Sequence, residues 1–357
     1  MKKRIIGIDI ARALAIIGMI VVNFKLVLGS QGSPNLQRWV GVLDGKAAAT
    51  FVVLAGLGIG LMSKKAIEEG TLSKIRFLQK KLIKRSIFLW LFGLLFYTIW
   101  TPDILHFYAI YILISIALIS ASTLLIGSLI VVLILSYPFL LMAVSYEQGW
   151  DFTQLEYLDF WTGQGFFRNL LVNGFHPVFP WVAFMLFGMW LGRQNLTQKS
   201  FLIKTLISAS FIFVGTQLLS HFTINLLNNH TTLSLKDIQA LCGTAPMPPL
   251  PYYMISGISI AVIIICLCIL ATHWTKETTI LRLLVHTGQL ALSFYVLHVL
   301  VLFFILAIIP KQWGTYSLIF SLVAAFICVL CCFLFATVWR KRFQLGPLEW
   351  VLRKLTD

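Results

Sequence analysis

The first long apolar run of the chain is IIGIDIARALAIIGMIVVNFKLVL, residues 5–28. It is long enough for one helix to cross the ~30 Å hydrocarbon core of a bilayer, yet Asp9, Arg12 and Asn23 interrupt its apolar run. At ~100° per residue along a helix, these three side chains fall on nearly one face. A polar stripe on a spanning helix avoids lipid, so it should face the protein interior or a water-filled cavity. The Asp9–Arg12 pair then either serves function or fixes helix packing.

The composition extends this interpretation to the whole chain. Of its 357 residues, 59% are hydrophobic and 11% are charged, and the mean hydropathy is +0.89. Soluble domains carry roughly 25% charged residues, so the chain is predicted to be a multi-pass membrane protein. The run KKR at 2–4 precedes an apolar segment, as in a signal peptide. Because Asp9 and Arg12 break that segment, we interpret it as an uncleaved first span.

The predicted fold class is all-α, a polytopic transmembrane helical bundle that forms a single integral-membrane domain over residues 1–357. Apolar windows of about 17–25 residues mark the spans. We place ten, at about 5–28, 46–63, 82–100, 104–119, 122–144, 176–192, 201–227, 252–272, 285–309 and 315–339. The fourth window is short, and around Thr101 and Pro102 the third and fourth could form one re-entrant hairpin instead.

Basic residues set the predicted orientation. With the N-terminus inside, 21 of the 28 Lys and Arg residues fall on the cytoplasmic side, as the positive-inside rule requires. Both termini are therefore expected in the cytoplasm. This bias also accounts for the net charge of +15 and the pI of 9.7 without nucleic acid as a partner. Five of the six cysteines lie inside apolar windows, so we expect neither a disulfide framework nor a metal site.

Candidate catalytic residues lie at the predicted outer ends of the spans. Asp103 and His106 are three residues apart at the start of the fourth span, His176 begins the sixth, and Asp44 precedes the second. We expect these groups to converge, with Asp103 orienting His106 as a general base and Asp44 orienting substrate. Taken singly, each histidine is more often a helix-end hydrogen-bonding residue than a catalyst. His298, deeper in its span, is expected to be a buried neutral histidine bonded to a neighbouring helix, with catalysis as the alternative.

The most basic segment is the predicted cytoplasmic loop at 64–85. Its expected role is to anchor the chain to anionic headgroups and to set topology. Lys84 and Arg85 adjoin the third span and are the better candidates for binding the phosphates of a cytosolic cofactor.

Several motifs, taken in order, resemble a large superfamily of membrane-bound acyltransferases. That superfamily includes the enzymes that modify bacterial surface polysaccharides and the heparan-alpha-glucosaminide N-acetyltransferase group. Within it, the chain resembles a bacterial family known as a domain of unknown function. The motifs are IDIARALAIIGMIVVN (8–23), DILHFYAIY (103–111), HPVFPWVAFMLFGMWLGR (176–193), GTAPMPPLPYYMISG (243–257), GQLALSFYVLH (288–298) and GPLEWVLRKLT (346–356).

The resemblance implies an enzyme of the bacterial cytoplasmic (inner) membrane. It would take an acyl group, such as acetyl, from cytosolic acyl-CoA and deliver it to an envelope glycan or a small metabolite at the outer face. Acyl-CoA (acetyl-CoA) would be a co-substrate, and no metal is implied. Arg12 and Asp9 would line the donor channel, and a histidine would act as base or transient acyl carrier. The expected partners are the bilayer, acyl-CoA and the outer-side acceptor, and a homo-oligomer is left open.

Two departures from the family pattern bear on the chemistry. Asn23 stands where the polysaccharide acyltransferases end the first-helix motif with histidine, and residues 24–45 lack the loop histidine of the heparan-type enzymes. Because asparagine is no general base at neutral pH, the chemistry would move to His106, His176 or His298. The alternatives are a transporter or exporter that uses Asp9–Arg12 as a coupling element, and a non-catalytic membrane protein. We find no internal repeat, which favours the enzyme.

Overall fold

The computed structural model describes residues 4–68, 72–274, 278–309 and 314–356 and is almost entirely helical. One two-stranded antiparallel ribbon and one π-helical turn interrupt the helices. In chain order the elements are α1 (Ile6–Leu28), α2 (Pro34–Gly41), α3 (Lys46–Glu68), α4 (Leu72–Tyr97), α5 (Leu105–Ala117), α6 (Thr123–Ala143), β1 (Trp150–Asp151), β2 (Glu156–Tyr157), α7 (Gly163–Arg168), the π-helical turn (Asn169–Asn173), α8 (Val178–Gly192), α9 (Lys199–His230), α10 (Leu235–Cys242), α11 (Pro251–Trp274), α12 (Thr279–Gln289), α13 (Ala291–Ile308), α14 (Leu318–Trp339) and α15 (Pro347–Thr356).

Among the described residues, seven helical segments are long and apolar enough to cross a membrane, which confirms a multi-pass membrane protein. They are Ile6–Leu28, Pro34–Glu68, Thr123–Ala143, Lys199–His230, Pro251–His273, Ala291–Ile308 and Leu318–Trp339. An eighth is reached if Gly163–Asn173 and Val178–Gly192, bent by 45°, count as one broken span. On α6, α9 and α14 only 22%, 17% and 33% of the apolar window is buried, and many of the exposed side chains are apolar, as on lipid-facing helices.

The predicted count of ten spans is not confirmed, and the differences have physical reasons. The third predicted span begins among the basic residues of α4, where Lys80, Lys81, Lys84 and Arg85 interrupt the apolar run. The fourth corresponds to α5, whose 13 residues extend only ~20 Å. The ninth predicted span is divided at Leu290 into the amphipathic α12 and the apolar α13.

The chain forms two compact units that alternate along the sequence. The first comprises Met1–Phe51, Leu196–Leu206 and Ala261–Leu355. In it α1 packs against α12, α13 and α14. A Cβ added to Gly288 of α12 would lie 1.8 Å from the carbonyl oxygen of Asp9, so only glycine permits this close helix approach.

The C-terminal helix α15 is tied to α13 of the same unit. The Glu349 carboxylate accepts hydrogen bonds from the amides of Leu292 (2.8 Å) and Ser293 (3.1 Å), two donors of the first turn of α13 that have no partner within that helix. It also accepts from the Ser293 hydroxyl. Burial raises the pKa of Glu349. The carboxylate thus caps a helix that is distant in sequence.

The second unit comprises Val52–Asn195, Ile207–Ile260 and Thr356–Asp357. In it α4 and α5 form a helical hairpin, and α8 packs against α5 and α6. The segment between α6 and α8 folds over an aromatic cluster made of Tyr97, Trp150, Tyr157 and Phe160. Arg168 fixes this segment by pairing with Asp159 (2.6 Å) and donating to the hydroxyl of Tyr157 (2.8 Å).

Candidate active site

Asp103 and His106 form a buried dyad where α4 turns into α5. Asp103 Oδ2 accepts from the amides of Leu105 (2.9 Å) and His106 (3.3 Å), and it lies 3.0 Å from His106 Nδ1. Both side chains are 0% exposed. With the proton on Nδ1 facing the carboxylate, the tautomer that this contact favours, Nε2 keeps its lone pair. That nitrogen has no hydrogen-bond partner among the described residues, so the dyad has the arrangement of a general base oriented by a carboxylate.

The His106 ring is held by packing. It contacts the rings of Tyr97, Phe107 and Phe160, with centroid distances of 5.5, 4.0 and 6.0 Å. On the α4 side, a Cβ at Gly93 would lie 2.5 Å from the His106 amide nitrogen. Because glycine has no side chain beyond a hydrogen, α4 can approach the first turn of α5 closely. This contact fixes the backbone that carries the histidine.

His176 joins this dyad from the start of α8. Its ring forms a hydrogen bond with the backbone of Asp103 and lies near the His106 ring. Its own carbonyl accepts from the hydroxyl of Tyr111 (2.5 Å). Because a ring that donates to a carbonyl keeps one lone pair, His176 Nδ1 is an acceptor, and within the described ranges it has no partner. Thus three of the four predicted catalytic residues, Asp103, His106 and His176, come together in the second unit.

The other predicted outer groups belong to the first unit, where each has a partner. His298 donates through Nδ1 to the Phe294 carbonyl (2.9 Å), and its Nε2 lies 2.9 Å from the Asn23 amide nitrogen. Asp44 pairs with Lys25, with Nζ 2.6 Å from Oδ2. The ring of His298 is thus fully hydrogen-bonded to neighbouring groups, and the Asp44 charge is already balanced.

Near the N-terminal end of α1, the Asp9 carboxylate is paired with basic side chains. It is 2% exposed and accepts from Arg4 Nε (2.8 Å) and Nη2 (2.9 Å) and from Arg12 Nη1 (2.9 Å). The predicted Asp9–Arg12 pair therefore exists, with Arg4 as a second partner. The Arg12 side chain remains 31% exposed.

Three further basic residues extend from this pair, with Arg340 beside it, His286 beside Arg340, and Arg282 beside His286. Arg340 feels the charges of Arg4 and Asp9. Burial, together with the nearby Arg340 and Arg282, lowers the pKa of His286. These residues lie at helix ends on the predicted cytoplasmic side. In the sequence, that position indicates only the orientation of the chain in the membrane and not a binding site. The group that we call the arginine cluster comprises Arg4, Arg12, Arg282, Arg340 and His286, with Asp9.

The predicted cofactor residues Lys84 and Arg85 lie elsewhere, on α4 in the second unit. Lys84 is exposed and Arg85 is partly buried. Ser86, next to them, donates to the carbonyl of Ala109 (2.7 Å) and so ties this turn of α4 to α5. Their role in binding phosphates stays a prediction.

The arginine cluster fits an acyl-CoA donor chemically. Arg4 and Arg12 pair with Asp9, Arg340 lies near that pair, and Arg282 lies near His286, so the cluster holds more positive than negative charge and could bind phosphates. Arg340 Nε and His286 Nδ1 are buried polar atoms with no partner in the part of the chain that the structure describes. Guanidinium groups bind phosphate oxygens in bidentate fashion.

Comparison with known proteins identifies the family of the chain. Residues 4–227 match the family model described as "Heparan-alpha-glucosaminide N-acetyltransferase, catalytic", and residues 191–357 match "Protein of unknown function (DUF418)". The "Uncharacterized protein YxaH" of Bacillus subtilis (strain 168) is 22% identical over 99% of this chain and 94% of its own length. No solved structure matches. Because the first model covers more than half of the sequence, the chain belongs to the membrane acyltransferase-related family of heparan-alpha-glucosaminide N-acetyltransferase catalytic domains.

Proposed function

We propose that this protein transfers an acetyl or similar acyl group from cytosolic acyl-CoA to a hydroxyl- or amine-bearing acceptor at the outer face of the bacterial cytoplasmic membrane. Membership of the acyltransferase-related family supports the reaction class. The observation that carries the assignment of the base is the His106–Asp103 dyad, because its Nε2 is unpartnered and its ring is fixed. His106 is therefore the proposed base.

The proposed reaction needs one proton acceptor and one proton donor. His106 Nε2 takes the proton of the acceptor group as its oxygen or nitrogen attacks the thioester carbonyl. The new C–O or C–N bond forms, the C–S bond breaks, and the proton passes from His106 to the departing sulfur. The products are the acylated acceptor and the coenzyme A thiol. Asp103 holds the ring tautomer and stabilises the imidazolium that forms.

Donor binding is assigned to the arginine cluster. The orientation predicted from the basic residues puts this end of α1 on the cytoplasmic side, where acyl-CoA is available. Arg12 is the main candidate for binding the donor phosphates. Its guanidinium group donates a hydrogen bond to the buried Asp9, and part of its side chain is exposed. Asp9 orients Arg12 and Arg4 and restrains two long side chains.

The test is a comparison of His106→Gln with His221→Gln. His221 is an exposed histidine on α9 that bonds only to Asn225 (3.1 Å) among the described residues, so its replacement is a matched control. Purified protein in nanodiscs receives acetyl-CoA with methyl glucoside and glucosamine as acceptors, and thiol release is measured. Loss of a general base lowers the rate ~10²–10⁴-fold. We expect that loss in His106→Gln only, and an unchanged rate there would refute the assignment of the base.

A further inference from the structure

We infer that the segment after α14 carries a binding surface for the headgroups of anionic phospholipids such as phosphatidylglycerol. The inference is independent of acyl transfer, and it gives a role to the motif GPLEWVLRKLT at 346–356, to which the proposed reaction assigns none. The residues of this surface are all exposed and are either basic or aromatic. We call them the C-terminal surface: Lys341, Arg342, Phe343, Trp350, Arg353 and Lys354.

The C-terminal surface lies where a spanning helix leaves the bilayer. The helix α14 is long and apolar enough to cross a membrane, and it ends at Trp339. Residues 340–356 contain five Lys and Arg residues, and their helix, α15, has only 10 residues. Because a helix needs about 20 apolar residues to cross a bilayer, this segment stays at the membrane surface that the end of α14 reaches.

Contacts of Trp339 fix the connection between α14 and α15. Its indole Nε1 donates to the carbonyl of Leu345 (2.8 Å), and the Phe343 ring stacks on its ring with 4.4 Å between the centroids. The side chains of Lys341 and Arg342, which precede Phe343, are exposed. The connection thus has a fixed path that presents two positive charges and part of an aromatic ring to the surroundings of the protein.

The inward face of α15 is bound to α13. The Glu349 carboxylate caps the first turn of α13, and the amide of Leu348 donates to the Ser293 hydroxyl (3.1 Å). Glycine at 346 permits this contact, since a Cβ there would lie 2.8 Å from Ser293 Oγ. Glu349 is the acidic residue of the segment 340–356. Because its carboxylate faces α13, it does not offset the positive charge of the exposed side.

The exposed face of α15 combines an aromatic ring with positive charges. Trp350, Arg353 and Lys354 are three and four residues apart, so they lie on one face of the helix. Trp350 is 54% exposed, and the Lys354 ammonium lies 5.1 Å from the centroid of its ring. Indole rings sit at the level of the headgroups, and Lys and Arg side chains attract anionic lipids. This face therefore has the chemistry of a helix that lies on a membrane surface.

Position and charge favour lipid over a soluble acidic protein as the occupant of the C-terminal surface. Because α14 is embedded in the bilayer, it holds the surface beside the headgroups, where lipid is present at a high local concentration. Basic residues that follow a span indicate the cytoplasmic side, whose leaflet contains anionic lipids. Each Lys or Arg close to such a leaflet gives about a fivefold preference for it.

The experiment measures the quenching of Trp350 fluorescence in phosphatidylcholine nanodiscs that contain a minor fraction of brominated phosphatidylglycerol or, separately, of brominated phosphatidylcholine. The contribution of Trp350 is the difference between each protein and the same protein with Trp350→Phe. We expect stronger quenching by the phosphatidylglycerol in the wild type. Lys341→Gln/Lys354→Gln should weaken this preference roughly 25-fold, whereas Lys341→Arg/Lys354→Arg keeps both charges and should retain it.

The matched control is Arg38→Gln/Lys236→Gln, which removes two exposed positive charges from α2 and α10 and should leave the preference unchanged. High salt should reduce the preference in the wild type, because it screens exposed charges. Equal quenching by the two lipids in the folded wild type would overturn the inference, as would a preference that survives Lys341→Gln/Lys354→Gln. If neither lipid quenched Trp350, α15 would lie away from the bilayer, and a soluble acidic partner would replace lipid as the occupant.

Discussion

At the scale of the residue, the histidines of the membrane-embedded helices differ in whether their ring nitrogens have partners. His298 has a partner at each nitrogen, the Phe294 carbonyl and the Asn23 amide, whereas His106 has only Asp103 among the described residues. Both are 0% exposed. A histidine with one free lone pair can take a proton from substrate, and one with both nitrogens bonded serves structure. The Asn23 side chain thus has a structural role as the partner of His298 Nε2.

The prediction at this scale concerns Asn23→Leu. The change leaves His298 Nε2 buried and unpaired, which should lower the free energy of unfolding by about 1–3 kcal/mol. Chemical denaturation in micelles measures it, and the rate of acyl transfer per folded molecule should be retained. The double variant Asn23→Leu/His298→Phe removes both polar groups and should recover part of the loss. If Asn23→Leu kept its stability and lost its rate, His298 would be the catalytic group.

At the scale of the element, small residues determine how closely α3 and α8 approach. A Cβ at Gly56 would lie 1.9 Å from the Met185 carbonyl oxygen, and one at Gly188 would lie 2.0 Å from that of Val53. Gly60 and Gly192 repeat the pattern one turn further along, with 2.3 and 2.4 Å to facing carbonyl oxygens. In a bilayer, where burial of apolar side chains gives little driving force, such close packing is a main source of helix association.

The prediction for this interface is that Gly188→Ala destabilises the protein. The added methyl group meets backbone that cannot move aside locally, and overpacking of this kind costs about 1–3 kcal/mol. Gly127→Ala on α6 is the matched control, since nothing lies within 4 Å of its Cβ position. Alanine is the better helix former, so that control should be neutral or stabilising. Equal thermal stability of the two variants would contradict the close contact.

At the scale of the whole molecule, the sequence predicted the features that depend on local patterns of residues. Hydropathy predicted the membrane class, and the spacing of Asp103 and His106 predicted the dyad, because residues three apart on a helix are neighbours. Contacts between distant segments were not predictable in this way. Examples are the bond from His176 to Asp103, the Asn23–His298 pair and the arrangement of Arg340 near Asp9. Asp44 was expected beside the histidines. Its pairing with Lys25 is likewise a tertiary contact that the sequence did not predict.

The span count shows the same limit. Length and hydropathy identify apolar windows, but α5 is a short helix packed on α4, and the ninth window is divided at Leu290. Neither feature has a strong local signal. The predicted single domain likewise stays a prediction, as does the location of both termini in the cytoplasm.

Thermal unfolding of the purified protein with and without acetyl-CoA tests whether an acyl-CoA is the donor. A ligand at about 100 times its dissociation constant adds roughly 2.7 kcal/mol to the folded state. We predict an upward shift in the unfolding temperature of the wild type and of Arg38→Ala, whose side chain is exposed on α2. The shift should be lost in Arg12→Ala. No shift in any of the three proteins would rule out acetyl-CoA as the donor, and equal shifts in all three would mean that Arg12 does not bind the donor.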